Sequence, residues 1–84
     1  MYIDNDALYF RGKLLVRTGH FHNECYERYR KDLHFALELL VEGEHKRESR
    51  EKMRVLKPTR DGTWELVYAE YPFEIVPVHI KLRR

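Results

Sequence analysis

The sequence predicts an α+β fold in which a small antiparallel sheet packs on one long amphipathic helix. Three observations predict it: apolar residues that recur every three or four positions in the middle of the chain, apolar residues that alternate elsewhere, and glycines where hairpins would turn. The predicted order is two strands, a helix, a second helix or loop, and three strands. Residues 1–84 are treated as a single domain, because 84 residues hold one hydrophobic core.

The first two strands are predicted on either side of Gly12. The flanking apolar runs suit short strands, and glycine accepts the positive φ that a tight hairpin turn requires. Alternation along these strands is expected to place Leu8 and Phe10 on one face with Leu14 and Val16.

One helix is predicted from Asn23 to about Val41, with Asn23 as its N-cap and Gly43 as a left-handed stop residue. Phe35 and Leu39 fall outside its apolar stripe, so the helix has a second apolar side. A second copy of the chain is the candidate partner for that side, which predicts a homodimer. The stripe itself consists of Tyr26, Tyr29, Leu33, Leu37, Leu40 and Val41.

The segment 44–52 contains no apolar residue, so it is expected to be an exposed helix or a mobile loop. Strands follow at 53–57 and 63–69 around a turn at Asp61-Gly62. The second of these strands is expected to place three large side chains on one face: Trp64, Leu66 and Tyr68.

The last strand changes phase along its length. Phe73 and Ile75 alternate with polar residues, and from Val78 onward the apolar residues alternate one position out of step. We therefore expect a bulge near Val76-Pro77, where proline also requires an irregular or edge position.

Charge is distributed unevenly along the chain, although the net charge is only +2. Residues 44–60 carry seven basic and three acidic groups, and residues 79–84 carry three basic and no acidic groups. Because this segregation exceeds what folding requires, we expect a small basic binding or regulatory protein that contacts DNA or RNA. The candidate contact residues are Lys46, Arg47, Arg50, Lys52, Arg54, Lys57, Arg60, Lys81, Arg83 and Arg84.

If residues 44–54 are helical, Lys46, Arg50 and Arg54 form a stripe along one face that is able to neutralise phosphates. Exposed Tyr71 or Trp64 would then add base stacking. The glutamates interleaved in this segment favour instead a solvated, salt-bridged face; they are Glu44, Glu48 and Glu51.

Two other functions stay open at this point. One is a protein-interaction or inhibitor module without nucleic-acid contact, which binds through a sheet edge or through the helix near Phe35 and Leu39. The other is a small metal-free ribonuclease, in which His20 and His22 serve as base and acid. A non-enzymatic role is favoured, and no catalytic residue is assigned.

His20, His22 and Cys25 form the densest reactive cluster, and all three are zinc-ligand types. A structural zinc site needs four ligands, and this spacing matches no zinc signature. We interpret the cluster as loop histidines beside a partly buried cysteine. No metal and no cofactor is predicted, and the isolated glycines form no phosphate-binding loop.

The single cysteine excludes an internal disulfide. No apolar run approaches the roughly 20 residues that a membrane-spanning helix needs. The segment from Met1 to Asp6 lacks the basic and apolar regions of a signal peptide. These features together predict a cytoplasmic protein with no membrane contact.

Overall fold

The computed structural model describes residues 7–84, so the prediction about the segment from Met1 to Asp6 lies outside the described residues. Two short strands come first and are followed by two helices and four strands. The elements are β1 (Tyr9–Phe10), β2 (Lys13–Leu15), α1 (Gly19–Tyr29), α2 (Leu33–Glu42), β3 (Glu44–Arg47), β4 (Lys52–Thr59), β5 (Gly62–Glu70) and β6 (Glu74–Arg83).

The six strands form one sheet in the order β1-β2-β6-β5-β4-β3, curved into a half-barrel. Strands β2 and β6 pair in parallel, with Leu14 opposite Glu74 and Leu15 opposite Ile75, whereas the other neighbours are antiparallel. The coarse α+β character is therefore right. The predicted small antiparallel sheet on one long helix is wrong in strand number, strand direction and helix number.

The helix predicted from Asn23 begins four residues earlier, at Gly19. Thr18 is the N-cap, because its side-chain oxygen accepts a hydrogen bond from the backbone N–H of Phe21 at 3.2 Å. Asn23 lies inside the helix and is exposed. Its capping chemistry suits a helix start, but Thr18 satisfies the same requirement one turn earlier.

The chain also breaks between the two helices. Arg30 ends α1 with a left-handed backbone (φ 56°), and its N–H bonds to the carbonyl of Tyr26 at 2.9 Å. Asp32 then starts α2, since its carboxylate accepts from the N–H of His34 at 3.0 Å. The single predicted helix is thus two helices of 11 and 10 residues.

Because the chain breaks here, α2 turns a different side toward the sheet than one continuous helix would. Leu39 is only 1% exposed, and Phe35 packs edge-on against Trp64 with ring centroids 4.7 Å apart. The homodimer surface predicted at Phe35 and Leu39 is therefore wrong, because the sheet of the same chain covers it. Val41, predicted to be apolar and inward, is 64% exposed.

Gly43 ends α2 in an extended conformation (φ −86°, ψ 172°) and not in the predicted left-handed one. Glycine is needed here because neighbouring atoms leave no room for a Cβ. A Cβ at this position would lie 2.5 Å from Val55 Cγ2 and 2.8 Å from the carbonyl oxygen of Leu39. The absence of a side chain lets the chain turn directly from α2 into β3.

The segment predicted to be an exposed helix or a mobile loop is strand β3 and a tight turn into β4. His45 anchors the strand. One of its ring nitrogens lies 2.7 Å from the Tyr68 hydroxyl and the other 2.7 Å from the Leu40 carbonyl, and Phe10 stacks on the ring. Sequence patterns miss this strand because a hydrogen-bonded histidine, and not an apolar residue, attaches it to the core.

The first hairpin turns at Arg11 and Gly12, both with positive φ, as expected for a two-residue turn. This turn pairs Tyr9 with Leu14, so the two share a face. The predicted grouping of Leu14 with Leu8 and Phe10 is therefore wrong by one residue.

The later strands follow the sequence more closely. Trp64, Leu66 and Tyr68 share one buried face, which confirms that prediction. The turn is centred one residue earlier than predicted, because Thr59 pairs with Gly62. The predicted bulge is confirmed. Val67 pairs with His79 and Tyr68 with Pro77, so the pairing between β5 and β6 shifts register next to Pro77.

The core forms where α1 and α2 pack on the sheet. Within residues 7–84, no helix is long and apolar enough to cross a membrane. The core cluster comprises Leu15, Phe21, Cys25, Leu33, Ala36, Leu39, Leu40, Val55, Trp64, Leu66, Tyr68, Ile75 and Ile80.

Candidate nucleic-acid interface

One face of the sheet packs against both helices, and in the described part of the chain no helix packs on the opposite face, although Glu24 of α1 reaches His79 at the β6 edge. Leu66 and its partners across the sheet, Val55 and Ile80, belong to the core beneath the helices. Val67 and Ala69 alternate with them and are buried, but they lie outside that core cluster. We call the side to which Val67 and Ala69 point the helix-free face.

Five of the ten predicted basic residues share the helix-free face. Strand register decides this, because residues directly opposite in adjacent strands point to the same side. Lys46 is opposite Arg54, Arg54 is opposite Val67, and Lys81 is opposite Glu65. The five residues are Lys46, Lys52, Arg54, Lys81 and Arg83.

Glu65 lies between two of these side chains. Its carboxylate is only 5% exposed, with Oε1 3.2 Å from Arg54 Nε and Oε2 2.6 Å from Arg83 Nε. Arg54 also donates from Nη2 to Glu48 at 2.9 Å. The two arginines offset the charge of the buried carboxylate as ion pairs, although neither Arg54 Nε nor Glu65 Oε2 makes a geometrically aligned hydrogen bond.

The charge balance of the helix-free face is positive. Its five cations lie among four carboxylates: Glu65 and Glu48 are paired with the arginines, while Glu44 and Glu74 are exposed. Lys46 and Lys81 are exposed and form no ion pair within residues 7–84. These two lysines are therefore available to an external anion.

The other predicted basic residues lie elsewhere. Lys57 points to the helix side, where its Nζ lies 3.2 Å from Glu42 and 3.6 Å from Glu38 of α2. The hydrogen bond from Lys57 to Glu42 raises the pKa of the lysine. Of the remaining four, one faces the helix side at the end of β3, two lie in turns and one is terminal: Arg47, Arg50, Arg60 and Arg84.

The helical stripe of Lys46, Arg50 and Arg54 does not exist, because Lys46 and Arg54 pair across two strands and Arg50 lies in the turn between them. Trp64 is also unavailable for stacking. It is 7% exposed and packs between Tyr29 and Phe35.

The histidine and cysteine cluster lies on α1 and not in a loop. His22 stacks on Tyr26, whereas His20 is exposed and lies 3.6 Å from Glu24. Among residues 7–84, no three His, Cys, Asp or Glu side chains come together to hold a metal ion. Glu24 is engaged in the fold, because its Oε1 lies 2.9 Å from His79 Nδ1 and 3.4 Å from the N–H of Ile80.

Cys25 is fully buried in the core. Burial raises the pKa of its thiol to about 11, with additional contributions from Asp32 and Glu24. A thiol with this pKa is protonated at neutral pH, so Cys25 lacks the thiolate that a nucleophile requires.

No protein-family model matches this chain. No curated protein and no solved structure matches it either. Its function is therefore inferred from geometry and charge alone.

Sequence reasoning missed Glu65, the residue that organises the helix-free face. A lone glutamate in an alternating strand reads as solvent-exposed, and only the pairing of β5 with both β4 and β6 shows that it lies between two arginines. The acidic stretch at 61–78 between two basic blocks was the available signal, because complementary blocks of charge pair readily across a sheet.

Proposed function

We propose that this protein binds nucleic acid through the phosphate backbone, using the helix-free face. The observation that carries the proposal is the strand register, which gathers five separated basic residues on one side of the sheet. Lys46 and Lys52 come from the first basic block, and Lys81 and Arg83 come from the C-terminal tail. Such clustering is the electrostatic footprint of phosphate contacts.

The paired arginines support the proposal. Their Nε atoms lie 3.2 Å and 2.6 Å from the carboxylate of Glu65, so both cations lie close together on this face. The side chain of Arg83 is about half exposed. A guanidinium group donates in a planar fork that matches phosphate oxygens.

The shape of the surface favours single strands over duplex. Strands β3 to β6 lie about 4.8 Å apart, so their backbones alone span about 14 Å. The major groove of B-DNA is about 12 Å wide and admits an α-helix or a two-stranded ribbon. A flexible single strand is able to lie across the broad face.

The test is fluorescence anisotropy with a labelled single-stranded 20-mer at 50 mM salt. Lys46→Gln/Lys81→Gln removes two unpaired cations from the helix-free face and is expected to weaken binding roughly tenfold. Arg17→Gln/Arg28→Gln is the matched control, because it removes two exposed arginines on or beside α1. Equal losses in both variants would show that binding follows net charge and not this face.

A protein partner is the second candidate, and one observation favours it. The observation is the set of exposed cations on the helix-free face; Val67 and Ala69 between them are only 8% and 7% exposed and are already covered in the free chain. An acidic protein would complement these cations. A pull-down from nuclease-treated lysate distinguishes the two: a stoichiometric acidic protein, lost with Lys46→Gln/Lys81→Gln, would replace nucleic acid as the partner.

A further inference from the structure

A polar cleft lies at the end of the sheet where the β3–β4 and β5–β6 turns meet. Its volume is about 370 Å³, within the range of small-molecule sites. Arg47 and Met53 pair across β3 and β4 and point to the helix side, so the cleft opens away from the helix-free face. We call this cavity the end cleft.

Arg47 is hydrogen-bonded to the turn beside the cleft. Its Nη1 donates to the carbonyl oxygens of Arg50 at 3.0 Å and Ser49 at 3.4 Å, both in the β3–β4 turn. These bonds use one guanidinium nitrogen and leave the other edge of the group for a ligand. Arg50, exposed in the same turn, lines the cleft beside it.

The cleft carries a net positive charge. Lys13 and Glu70 also line it and pair with each other at 2.6 Å. The hydrogen bond from Lys13 lowers the pKa of Glu70, and Arg47 contributes to the same effect. With that pair neutral, Arg47 and Arg50 stand against one carboxylate, Glu51, which leaves one positive charge for an anionic ligand.

An aromatic ring and apolar surface lie beside these cations. Tyr71 is 50% exposed at the cleft, and Met53 lies half-buried in its lining. A half-exposed tyrosine next to two arginines combines a stacking surface with phosphate donors. A nucleotide carries both matching groups, a flat base and a phosphate.

We propose that the end cleft binds a nucleoside monophosphate group, with its phosphate on Arg47 and Arg50 and its base against Tyr71. The group is either a free nucleotide or the phosphorylated end of a nucleic-acid strand. The site lies on the side of the sheet opposite Lys46 and Lys81, so it stands or fails independently of the helix-free face.

The test is a ¹H–¹⁵N NMR titration of the full chain with adenosine monophosphate, adenosine and inorganic phosphate. Adenosine monophosphate is expected to shift the amides of Arg50, Glu51 and Tyr71 and to bind at least tenfold more tightly than adenosine, because charge-assisted hydrogen bonds hold its phosphate. Arg50→Gln is expected to weaken binding roughly tenfold. Arg60→Gln, in the turn at the far end of the sheet, is the control and leaves it unchanged.

A second pair of variants tests the stacking. Tyr71→Phe keeps the ring and is expected to bind as the native chain does, whereas Tyr71→Ala loses severalfold in affinity. A trinucleotide with a 5′-phosphate that binds more tightly than the free nucleotide assigns the cleft to a strand end, and equal affinity assigns it to free nucleotides. Equal binding of phosphate and adenosine monophosphate, or no shift in these amides at millimolar ligand, would overturn the proposal.

Discussion

Replacing Glu65 by glutamine tests the helix-free face through two measurements. The free energy of unfolding is expected to fall, and the affinity for a single strand is expected to rise. Glu65→Gln keeps the size of the side chain and removes its charge. The two arginines then lose the carboxylate that lies 3.2 Å from Arg54 Nε and 2.6 Å from Arg83 Nε. The amide also presents an N–H group to one of them in place of an acceptor.

The expected loss of stability is modest, because the arginines are 34% and 55% exposed and water replaces part of what the carboxylate supplied. Each partly exposed pair contributes about 0.5–1 kcal/mol, so the free energy of unfolding should fall by about 1–2 kcal/mol. For a chain of this size, each kcal/mol lowers Tm by about 4–8 °C. Thermal unfolding followed by circular dichroism measures the change.

Binding to a single strand should become tighter in the same variant. Removing one negative charge about 7 Å from a phosphate is worth about 0.6 kcal/mol in water-like surroundings, or roughly threefold in affinity. Glu44→Gln is the matched control. It removes an exposed carboxylate from the same face and should raise affinity without lowering Tm.

Fluorescence anisotropy at 50 mM salt, on samples shown to be folded at the assay temperature, gives the affinities. An unchanged Tm in Glu65→Gln would show that the ion pairs of Glu65 with Arg54 and Arg83 do not stabilise the fold. An unchanged or weaker affinity in both Glu65→Gln and Glu44→Gln would refute the assignment of phosphate binding to this face.

Three further predictions follow from the packing. Gly43→Ala should lower the free energy of unfolding by about 1–3 kcal/mol through overlap with neighbouring backbone, whereas Gly19→Ala, which meets nothing within 4 Å, should not; urea denaturation compares them. Arg30→Gly should stabilise by about 0.5–1 kcal/mol, because glycine accepts the left-handed backbone; an unchanged or lower midpoint in the same assay would contradict this. The Cys25 pKa is raised from 9.0 to about 11, so the unfolded thiol ionises first and stability should fall between pH 9 and 11 by at most about 2 kcal/mol. Cys25→Ala should lack this component of the pH dependence, and identical profiles would contradict it.

Local signals predicted local structure well. The bulge at Pro77, the hairpin before Gly62 and the shared face of Trp64 and Leu66 all follow from turn chemistry and alternation. The sequence could not show that β2 pairs in parallel with β6, since these strands are about 60 residues apart and no periodicity reports on distant pairing.

The helix error has a specific cause. Apolar spacing continued across Arg30–Asp32, so the break left no gap in the pattern. Only the cap chemistry of Thr18 and Asp32 indicated two starts, and each competed with Asn23 as a capping residue. The same error produced the false second apolar side at Leu39.

For the candidate site, the sequence identified the basic residues but not their arrangement. Segregated charge pointed to Lys46 and Lys81 correctly as surface cations. Which of the ten residues share a face depends on register, and register is set by pairing across β3 to β6. The end cleft depends on two turns that meet only in the folded chain, so neither Tyr71 nor Arg47 could be assigned to it in advance.

The salt dependence of single-strand binding tests the central claim most directly. Neutralising three to five phosphates gives a slope of log K against log salt between about −2 and −3.5, at about −0.7 per phosphate. Between 50 and 200 mM salt the affinity should therefore fall roughly 20- to 100-fold, and Lys46→Gln/Lys81→Gln should reduce the slope by about 1.4. A slope near zero, or a slope that this variant leaves unchanged, would contradict phosphate binding by the helix-free face.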